Sequence, residues 1–178
     1  MKKILVFVCI SLLCSCSKND VDVNDNNYTF DGKGGIKCKA NGELIEATLV
    51  ISPGASTKDL IFTSYNNENY MSLYFTDKGE KPDFISQSIR IRVFNISPTS
   101  SLEGNTYSLQ NETNNSYGKY RINSLDFNYS TTENFIGKLE IVYHDIENRI
   151  LGGRFFFDAT NDNGEIVEIR DGEFDMKY

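Results

Sequence analysis

The sequence is poor in several residues that mark common kinds of site: it has no tryptophan, a single histidine and four cysteines among 178 residues. One histidine, His144, provides neither a histidine-rich metal site nor an obvious Ser-His-Asp triad. The absence of tryptophan weakens the case for sugar binding by indole stacking. The longest apolar run, residues 4–13, is shorter than the roughly 20 residues that a transmembrane helix needs. It therefore predicts a signal segment rather than a permanent membrane span.

Basic side chains are in the minority, with 18 Lys and Arg against 25 Asp and Glu and a net charge of -7 at pH 7. Because binding to nucleic acid requires a basic surface, no nucleic-acid partner is expected. Charge does not draw an acidic protein to an anionic membrane either. Any attachment to a membrane must therefore come from another device.

Residues 1–15 have the three parts of an export signal: positive charge, an apolar stretch and a small residue before a cleavage point. Lys2 and Lys3 supply the charge, residues 4–13 the apolar stretch, and Ser15 the small residue. Residues 1–15 are therefore predicted to be a signal peptide.

The residues around the predicted cleavage point are Leu13-Cys14-Ser15-Cys16. A leucine three positions upstream, a small residue and then a cysteine resemble the lipobox of bacterial lipoproteins. The resemblance implies cleavage before Cys16, diacylglycerol on its sulfur and an acyl chain on its new amino group. Since each buried methylene contributes roughly 0.8 kcal/mol, two or three chains hold a protein stably on a membrane. Cys16 is the predicted lipidation site, and the membrane is a predicted partner through this N-terminal lipid anchor.

The other cysteines predict neither a metal site nor a disulfide. Cys14 and Cys16 form a C-x-C pair, but no second cysteine pair lies at zinc spacing. Cys9 and Cys14 leave with the signal, so Cys38 is the one remaining free thiol and cannot form an internal disulfide. Its alternating context, IKCKAN, predicts a small buried hydrophobe, whereas a nucleophilic role would need a nearby base.

Residues 16–35 contain the stretch SKNDVDVNDNN, which is rich in Asp and Asn and poor in side chains that pack. Such a segment buries too little apolar surface to offset its ordering entropy, so a flexible acidic and Asn-rich tether is predicted. Asp20, Asp22 and Asn24 stand at the first, third and fifth positions of an EF-hand-like calcium loop. Asp25 stands where that loop needs glycine and no helical pattern flanks the segment, which favours a solvated spacer over a calcium site.

The residues after Cys16 also predict a location. Ser17 rather than Asp follows the cysteine, which resembles lipoproteins sent to the outer membrane. Lys18 and the acidic residues after it resemble the surface-export signal of Bacteroidetes lipoproteins. An outer-membrane lipoprotein is predicted, and both orientations, exposed at the cell surface or facing the periplasm, stay open.

Residues 36–178 predict a single all-β domain, because short strands of period two alternate with turn signals and no long helical stripe occurs. The predicted strands are 36–40, 44–51, 60–65, 70–76, 88–96, 117–123, 125–130, 135–144, 150–159, 166–170 and 174–178. Asn41-Gly42, Asp171-Gly172 and the loop 161–164 supply the positive backbone angles of tight hairpins. The strands should pair as an antiparallel meander that forms a β-sandwich or a partly closed β-barrel. Residues 76–87 have room for a small helix or a flap.

Alternation assigns the two faces of the last strands. The residues predicted to face the core are Phe135, Leu139, Ile141, Tyr143, Phe155, Phe157, Ala159, Phe174, Met176 and Tyr178. The residues predicted to face solvent are Lys138, Glu140, His144, Arg154, Asp158, Glu173, Asp175 and Lys177. Glu140 and Asp158 would then be close across adjacent strands, as in a glycosidase, although acidic residues are expected on the wet face of an acidic protein.

Three segments resemble small Bacteroidetes lipoproteins of unknown function. They are IKCKANGELIEA, SLEGNTYSL and the ending FIGKLEIVYHDIENRILGGRFFFDATNDNGEIVEIRDGEFDMKY. The pattern is similar to the DUF6252-like group, and the likeness is best over the last third of the chain. Because that group has no assigned activity, the resemblance implies no catalytic residue. Gly152, Gly153, Gly164 and Gly172 are expected at turns or at close backbone approaches.

No catalytic residue, cofactor or metal ligand is predicted, and the chain is predicted not to be an enzyme. The predicted function is a lipid-anchored binding or interaction module of the cell envelope, with a glycan, a protein or a small apolar molecule as partner. A set of tyrosines would form a stacking surface, or would merely pack in strands: Tyr65, Tyr70, Tyr74, Tyr117, Tyr120 and Tyr129. The alternative function is a lipocalin-like carrier, which requires an enclosed apolar cavity of at least about 300 Å³.

Overall fold

The computed structural model describes residues 29–47, 57–65, 68–79, 85–113, 115–123 and 126–178. Strands make up 61% of these residues, and no helix occurs among them. Every strand pair is antiparallel, and the sheet curls into a half-barrel. The predicted all-β fold is therefore confirmed. Within the same residues, no helix has the length and apolarity needed to span a membrane.

Eleven strands lie in the described part of the chain. In chain order they are β1 (Gly35–Ala40), β2 (Glu43–Glu46), β3 (Lys58–Tyr65), β4 (Glu68–Asp77), β5 (Gln87–Phe94), β6 (Thr106–Leu109), β7 (Tyr117–Ile122), β8 (Tyr129–Ser130), β9 (Gly137–Asp145), β10 (Ile150–Thr160) and β11 (Ile166–Lys177). Most predicted strands are present with small shifts at their ends. β6 has no counterpart among the predicted strands. Of the strand predicted at 125–130, the described residues 126–130 contain only the two residues of β8.

The main path of the sheet runs β2-β1-β11-β10-β8-β7-β5-β4-β3. Consecutive strands pair at β1–β2, β3–β4–β5, β7–β8 and β9–β10–β11, as a meander requires. The path departs from a meander where β1 pairs with β11 and β5 with β7. The sheet also branches, because β9 pairs along residues 150–157 of β10 while β8 pairs with the same strand at Thr160. β6 adds to the branch outside β9.

One cluster of buried apolar side chains lies on the inner side of the curled sheet. Its largest fully buried members are Phe75, Phe157, Ile45, Met71, Leu73, Ile89, Ile91, Leu109, Leu139, Ile141, Leu151 and Ile169. Cys38 belongs to the same cluster as a free thiol and is only 1% exposed, as its alternating context predicts. Burial raises the pKa of the Cys38 thiol, which disfavours the reactive thiolate.

Two of the three predicted hairpin turns are confirmed. Asn41 and Gly42 have φ angles of 49° and 87° and join β1 to β2 through a two-residue turn. The loop between β10 and β11 closes through a 3.0 Å bond from the Gly164 amide to the Asn161 carbonyl oxygen.

The hairpin predicted at Asp171-Gly172 is wrong, because β11 continues through these residues as one strand. Asp171 does have the positive φ, 51°. The register with β10 passes from Phe155 opposite Gly172 to Phe157 opposite Ile169, so β11 contains one extra residue there. This is a β-bulge. The chain does not turn back, because β11 pairs with β10 and with β1 on both sides of the bulge.

A second bulge reverses the faces predicted for the end of β9. The pairing with β10 skips one residue between Ile141 and Tyr143, so Val142 is extra. Beyond this point Tyr143 faces outward and His144 faces inward. The solvent-facing position predicted for His144 is therefore wrong, and so is the core-facing position predicted for Tyr143.

His144 is 8% exposed and lies between two fixed partners. Its Nδ1 accepts a 3.0 Å bond from the Leu102 amide, and its Nε2 lies 2.9 Å from the Tyr178 hydroxyl. Because Nδ1 is an acceptor, the imidazole is neutral with its proton on Nε2. Burial lowers the pKa of His144 below its ordinary value. Tyr178 itself packs edge-on against Phe62 at 4.9 Å, in agreement with its predicted place beside the core.

Phe30, ahead of the predicted domain start at residue 36, already contacts the domain. The Phe30 ring stacks on Tyr143 with 5.1 Å between centroids and 7° between planes. It also covers Gly152, where an added Cβ would come within 2.2 Å of the ring. Residues 16–35 are predicted to be a tether. Near the end of this segment, Phe30 packs on the outer side of β9 and β10.

Asp175 is only 1% exposed, although alternation predicts that it faces solvent. Its carboxylate accepts bonds from the backbone amides of Asp31, Gly32 and Gly34, at 3.1, 2.8 and 3.3 Å. We call residues 30–34 the N-terminal segment. Alternation places Asp175 on the outer face correctly, but this segment covers it, so the predicted exposure is wrong.

Several predicted features lie outside the described residues. They are the signal peptide at residues 1–15, the lipidation site Cys16, residues 17–28 of the predicted tether with the calcium-loop positions Asp20, Asp22 and Asn24, residues 48–51 of the strand predicted at 44–51, residues 80–84 of the predicted flap, and residue 125 of the strand predicted at 125–130.

Candidate functional site

The outer side of β4, β5 and β7 carries cationic and aromatic side chains in alternation. Along β5, Ile89 and Ile91 are fully buried, which leaves the intervening Arg90 and Arg92 on the outer side. The same alternation on β4 and β7 adds further rings and cations. We call this surface the cation–aromatic face; it consists of Tyr70, Tyr74, Arg90, Arg92, Phe94, Tyr117, Lys119, Arg121 and Phe127.

Strand pairing sets the spacing of the cation–aromatic face. Arg90 lies opposite Tyr74 on β4 and opposite Lys119 on β7. Arg92 lies opposite Tyr117 on β7. Directly opposed side chains have Cβ atoms about 4.5–5.5 Å apart, so these groups are in mutual reach.

Arg90 is held by two aromatic rings. Its guanidinium carbon lies 4.4 Å from the centroid of Phe127 and 5.7 Å from that of Tyr74. Each such contact contributes about 0.5–1 kcal/mol at an exposed site. Among the described residues, no carboxylate lies within ion-pairing distance of Arg90.

Arg92 is held in the same way, 4.7 Å from the ring of Tyr70 and 5.8 Å from that of Tyr117. It too forms no ion pair with any residue that the structure describes. Its Nε is buried and finds no acceptor among those residues. A buried donor without a hydrogen-bond acceptor costs about 1–3 kcal/mol of folding free energy. An acceptor supplied by a ligand would satisfy the Arg92 Nε.

Arg121 belongs to a hydrogen-bond network that fixes the centre of the face. Its Nε donates to the Ser88 hydroxyl at 3.0 Å, and its Nη2 donates to the Tyr74 hydroxyl at 3.1 Å. The Thr76 hydroxyl lies 2.6 Å from that of Tyr74 and 2.9 Å from that of Ser88. Burial alone would raise the pKa of Tyr74, but its bonds with Thr76 and Ser88 and the charge of Arg121 bring the pKa below its ordinary value. These bonds hold the ring and the guanidinium in one arrangement.

A depression of about 460 Å³ borders the face. We call it the polar depression; it is lined by Glu112, Lys119, Phe127, Asn128, Ser130, Thr160, Asn161, Asp162 and Asn163. Lys119 and Phe127 belong to both surfaces. The Lys119 ammonium forms a 2.6 Å ion pair with Glu112 at the rim.

The structure brings only part of the predicted tyrosine surface together. Tyr70, Tyr74 and Tyr117 lie on the cation–aromatic face. Tyr120 and Tyr129 pack against each other instead, at 5.6 Å, and Tyr120 is only 4% exposed within the core. The side chain of the sixth residue, at position 65, lies outside the described part. The arginines were missed at the sequence level, although the alternating stretch SIRIRVF carries their signal.

The predicted proximity of Glu140 and Asp158 is wrong. Glu140 lies opposite Arg154, four residues before Asp158 on β10, which corresponds to roughly 13 Å along a strand. Glycosidase carboxylates lie about 5–9.5 Å apart. Each acid has its own cation, Lys138 at 3.3 Å for Glu140 and Arg170 at 2.6 Å for Asp158. The residues that the structure describes also hold no group of three or more His, Cys, Asp or Glu placed to bind a metal ion.

Comparison of the chain with protein-family models, with curated proteins and with solved structures finds no match in any of the three. The resemblance to the DUF6252-like lipoproteins therefore stays a prediction.

Proposed function

We propose that the protein is a lipid-anchored, non-catalytic binding module of the cell envelope that holds its ligand on the cation–aromatic face. The observation that carries the proposal is the pair Arg90 and Arg92. Both lie against aromatic rings, and neither has a carboxylate partner in the described part of the chain.

Residues at alternate positions of one strand lie about 7 Å apart along the backbone and point to the same side, so guanidiniums at two such positions repel each other. A nearby carboxylate would relieve this repulsion, and the chain has more acidic than basic residues from which to supply one. Arg90 and Arg92 instead keep their charge available to an anion from outside. Because the rings restrict the two side chains, a ligand that binds them loses less conformational entropy.

The N-terminal sequence supports the location in this proposal. The export signal at residues 1–15 and Cys16 at the cleavage point favour a lipoprotein, and Ser17 favours the outer membrane. Lys18 and the acidic residues after it favour display of the domain at the cell surface over a periplasmic orientation. Residues 17–29 would then join the lipid to the domain. Nucleic acid is not a proposed partner.

The lipocalin-like carrier receives no support from the described residues. A carrier needs an open apolar interior. The inner positions hold large, fully buried side chains such as Phe75 and Phe157. The polar depression lies outside this core and has mainly polar neighbours.

The lipid anchor is tested by Cys16→Ala in the native host. The variant should lose labelling by a clickable fatty acid and leave the membrane fraction, whereas the matched variant Cys38→Ala should keep both. A Cys16→Ala protein that is still labelled and membrane-bound would refute the anchor. Digestion by protease added to intact cells tests the surface orientation.

The binding face is tested with purified full-length lipoprotein in detergent micelles, screened against immobilised glycans, lipids and peptides. Binding to the ligand should be lost in Arg92→Gln and kept in Arg154→Gln, which removes an exposed cation from the outer side of β10. The ligand should be recovered with unchanged mass. Equal binding by both variants, or cleavage of the ligand, contradicts the proposal.

A further inference from the structure

The polar depression supplies side-chain amide groups, which the cation–aromatic face lacks. Asn128, Ser130 and Asn163 contribute an amide, a hydroxyl and a second amide to its lining. None of these side chains forms a hydrogen bond with another described residue. Asn161 is different, because its side chain already bonds Asn163, and also Glu165, within the loop. Three uncharged polar side chains are thus free to bind a ligand.

The two surfaces form one continuous site, since Lys119 and Phe127 line both. The depression holds neutral amides and a hydroxyl together with two carboxylates, Asp162 and the Glu112 that pairs with Lys119. Beside it lie the guanidiniums of Arg90 and Arg92. A ligand that fits both surfaces carries hydroxyl groups where it meets the depression and a negative charge where it meets Arg90 and Arg92. Carboxylates suit the planar guanidinium fork, which binds them through two parallel bonds.

We propose that this combined site binds an acidic glycan, a polysaccharide with uronic acid units. The inference rests on the proposed binding function and names the class of its ligand. Asn128, Ser130 and Asn163 bind sugar hydroxyls, and Arg90 and Arg92 bind the carboxylates. The four cations of the cation–aromatic face outnumber the two carboxylates that line the depression, Glu112 and Asp162, so the combined site attracts a polyanion although the chain as a whole is acidic.

An acidic peptide fits the site less well. Peptides that bind sheets usually pair with an open strand edge. β5 lies between β4 and β7, so its backbone is already paired on both sides. Recognition at Arg90 and Arg92 must therefore come from side chains, and a chain of hydroxylated rings offers more partners for the depression than a peptide backbone.

The test uses full-length lipoprotein in detergent micelles and two matched probes, polygalacturonate and its fully methyl-esterified form. The two polymers share one sugar backbone and differ in charge. Polygalacturonate should bind, and the ester should bind at least about tenfold more weakly, because charge-assisted hydrogen bonds are lost. Affinity for polygalacturonate should also fall as salt rises.

Variants separate the two parts of the site. Arg92→Gln should weaken polygalacturonate binding by about 10- to 100-fold, and Asn163→Ala by about 3- to 10-fold. Arg154→Gln, with one cation fewer outside the site, should bind as the parent does. Arg92→Lys keeps the charge but not the planar fork and should fall between the parent and Arg92→Gln. Circular dichroism spectra that match the parent confirm that each variant is folded.

Four results would overturn the inference: no binding of polygalacturonate, equal binding of the ester, equal binding of polyglutamate, or equal binding of single-stranded DNA. The last two would show recognition of charge without the sugar. If another ligand from the screen is lost in Arg92→Gln, the acidic-glycan inference fails while the proposed binding function stands. If no ligand depends on Arg92, both fail.

Discussion

Replacing Asp175 with asparagine tests whether the N-terminal segment is part of the folded domain. The Asp175 carboxylate accepts from Asp31 and Gly34 through one oxygen and from Gly32 through the other. Asparagine keeps the shape but presents an amino group in place of one oxygen. One or two of the three backbone amides therefore face a donor instead of an acceptor.

The size of the effect follows from these bonds. A hydrogen bond to a charged acceptor contributes about 1.5–3 kcal/mol, and the amides regain part of this from water if the segment leaves. Release of the segment also exposes the half-buried Phe30 ring, which contributes roughly 1 kcal/mol more. Asp175→Asn should lower the free energy of unfolding by about 2–4 kcal/mol. For a domain of this size that corresponds to a Tm lower by roughly 5–15 °C.

The assay is thermal and urea unfolding followed by circular dichroism, with amide hydrogen exchange measured over residues 29–35. Glu173→Gln is the matched control, because it removes the same charge from the same strand. Its exposed 2.7 Å ion pair with Lys37 is worth only about 0–1 kcal/mol. The reasoning fails if Asp175→Asn is as stable as Glu173→Gln and exchange over 29–35 is unchanged.

A second substitution, at Gly152, disturbs the N-terminal segment through its Phe30 ring instead of its backbone amides. Gly152→Ala would place a Cβ within 2.2 Å of Phe30 and displace the ring. If both substitutions act by releasing one segment, the double variant should lose less stability than the two single variants together. Additive losses would show that the Phe30 contact and the Asp175 bonds are independent.

Three further predictions concern the interior and the bulges. Burial lowers the pKa of His144 in the folded chain, so the unfolded chain binds the proton first as pH falls; stability should be fully present above about pH 6.5 and decrease below it. Urea unfolding at several pH values gives the free energy of unfolding as a function of pH, and this free energy should fall less steeply below about pH 6.5 in His144→Gln than in the parent. An equally steep fall in both proteins would contradict the neutral, buried imidazole. Gly153→Ala would bring a Cβ within 2.4 Å of the Glu140 carbonyl oxygen and should cost about 1–3 kcal/mol in urea unfolding; a parent-like midpoint would show that β9 and β10 can separate there. Asp171→Val puts a β-branched residue at a φ of 51° and should cost about 1–2 kcal/mol in the same assay, whereas no loss would show that the bulge relaxes.

Much of the fold follows from local sequence. Alternation identifies the strand that contains Cys38 and places its thiol in the core, because a strand with one buried face repeats every two residues. Asn41-Gly42 identifies its own turn, since both residues tolerate the positive φ that a two-residue hairpin needs. Alternation cannot detect a bulge in advance. One extra residue at Val142 moves His144 from the outer face to the inner one, and whether the strand accepts it depends on its partner.

Asp171-Gly172 shows the same limit in another form. The dipeptide favours a positive φ, and both a hairpin and a bulge use one. The structure has the bulge, because β10 on one side and β1 on the other continue to pair with β11 beyond it. Those partners come from distant parts of the chain, so local sequence could not distinguish the two outcomes.

Local sequence determines some features of the candidate site, and tertiary contacts determine the others. The stretch SIRIRVF determines by itself that Arg90 and Arg92 share one face of a strand, since their apolar neighbours must be buried. Only the tertiary structure decides that β5 pairs with β7, that Phe127 and Tyr117 lie against these arginines, and that the loop around Asn163 comes beside Lys119. The sequence by itself determined the alternation and the Asn41-Gly42 turn, and it predicts the lipid attachment, because each depends on neighbouring residues. The tertiary structure decided the bulges, the burial of Asp175 and the combined site, because each depends on contacts between residues far apart in the chain.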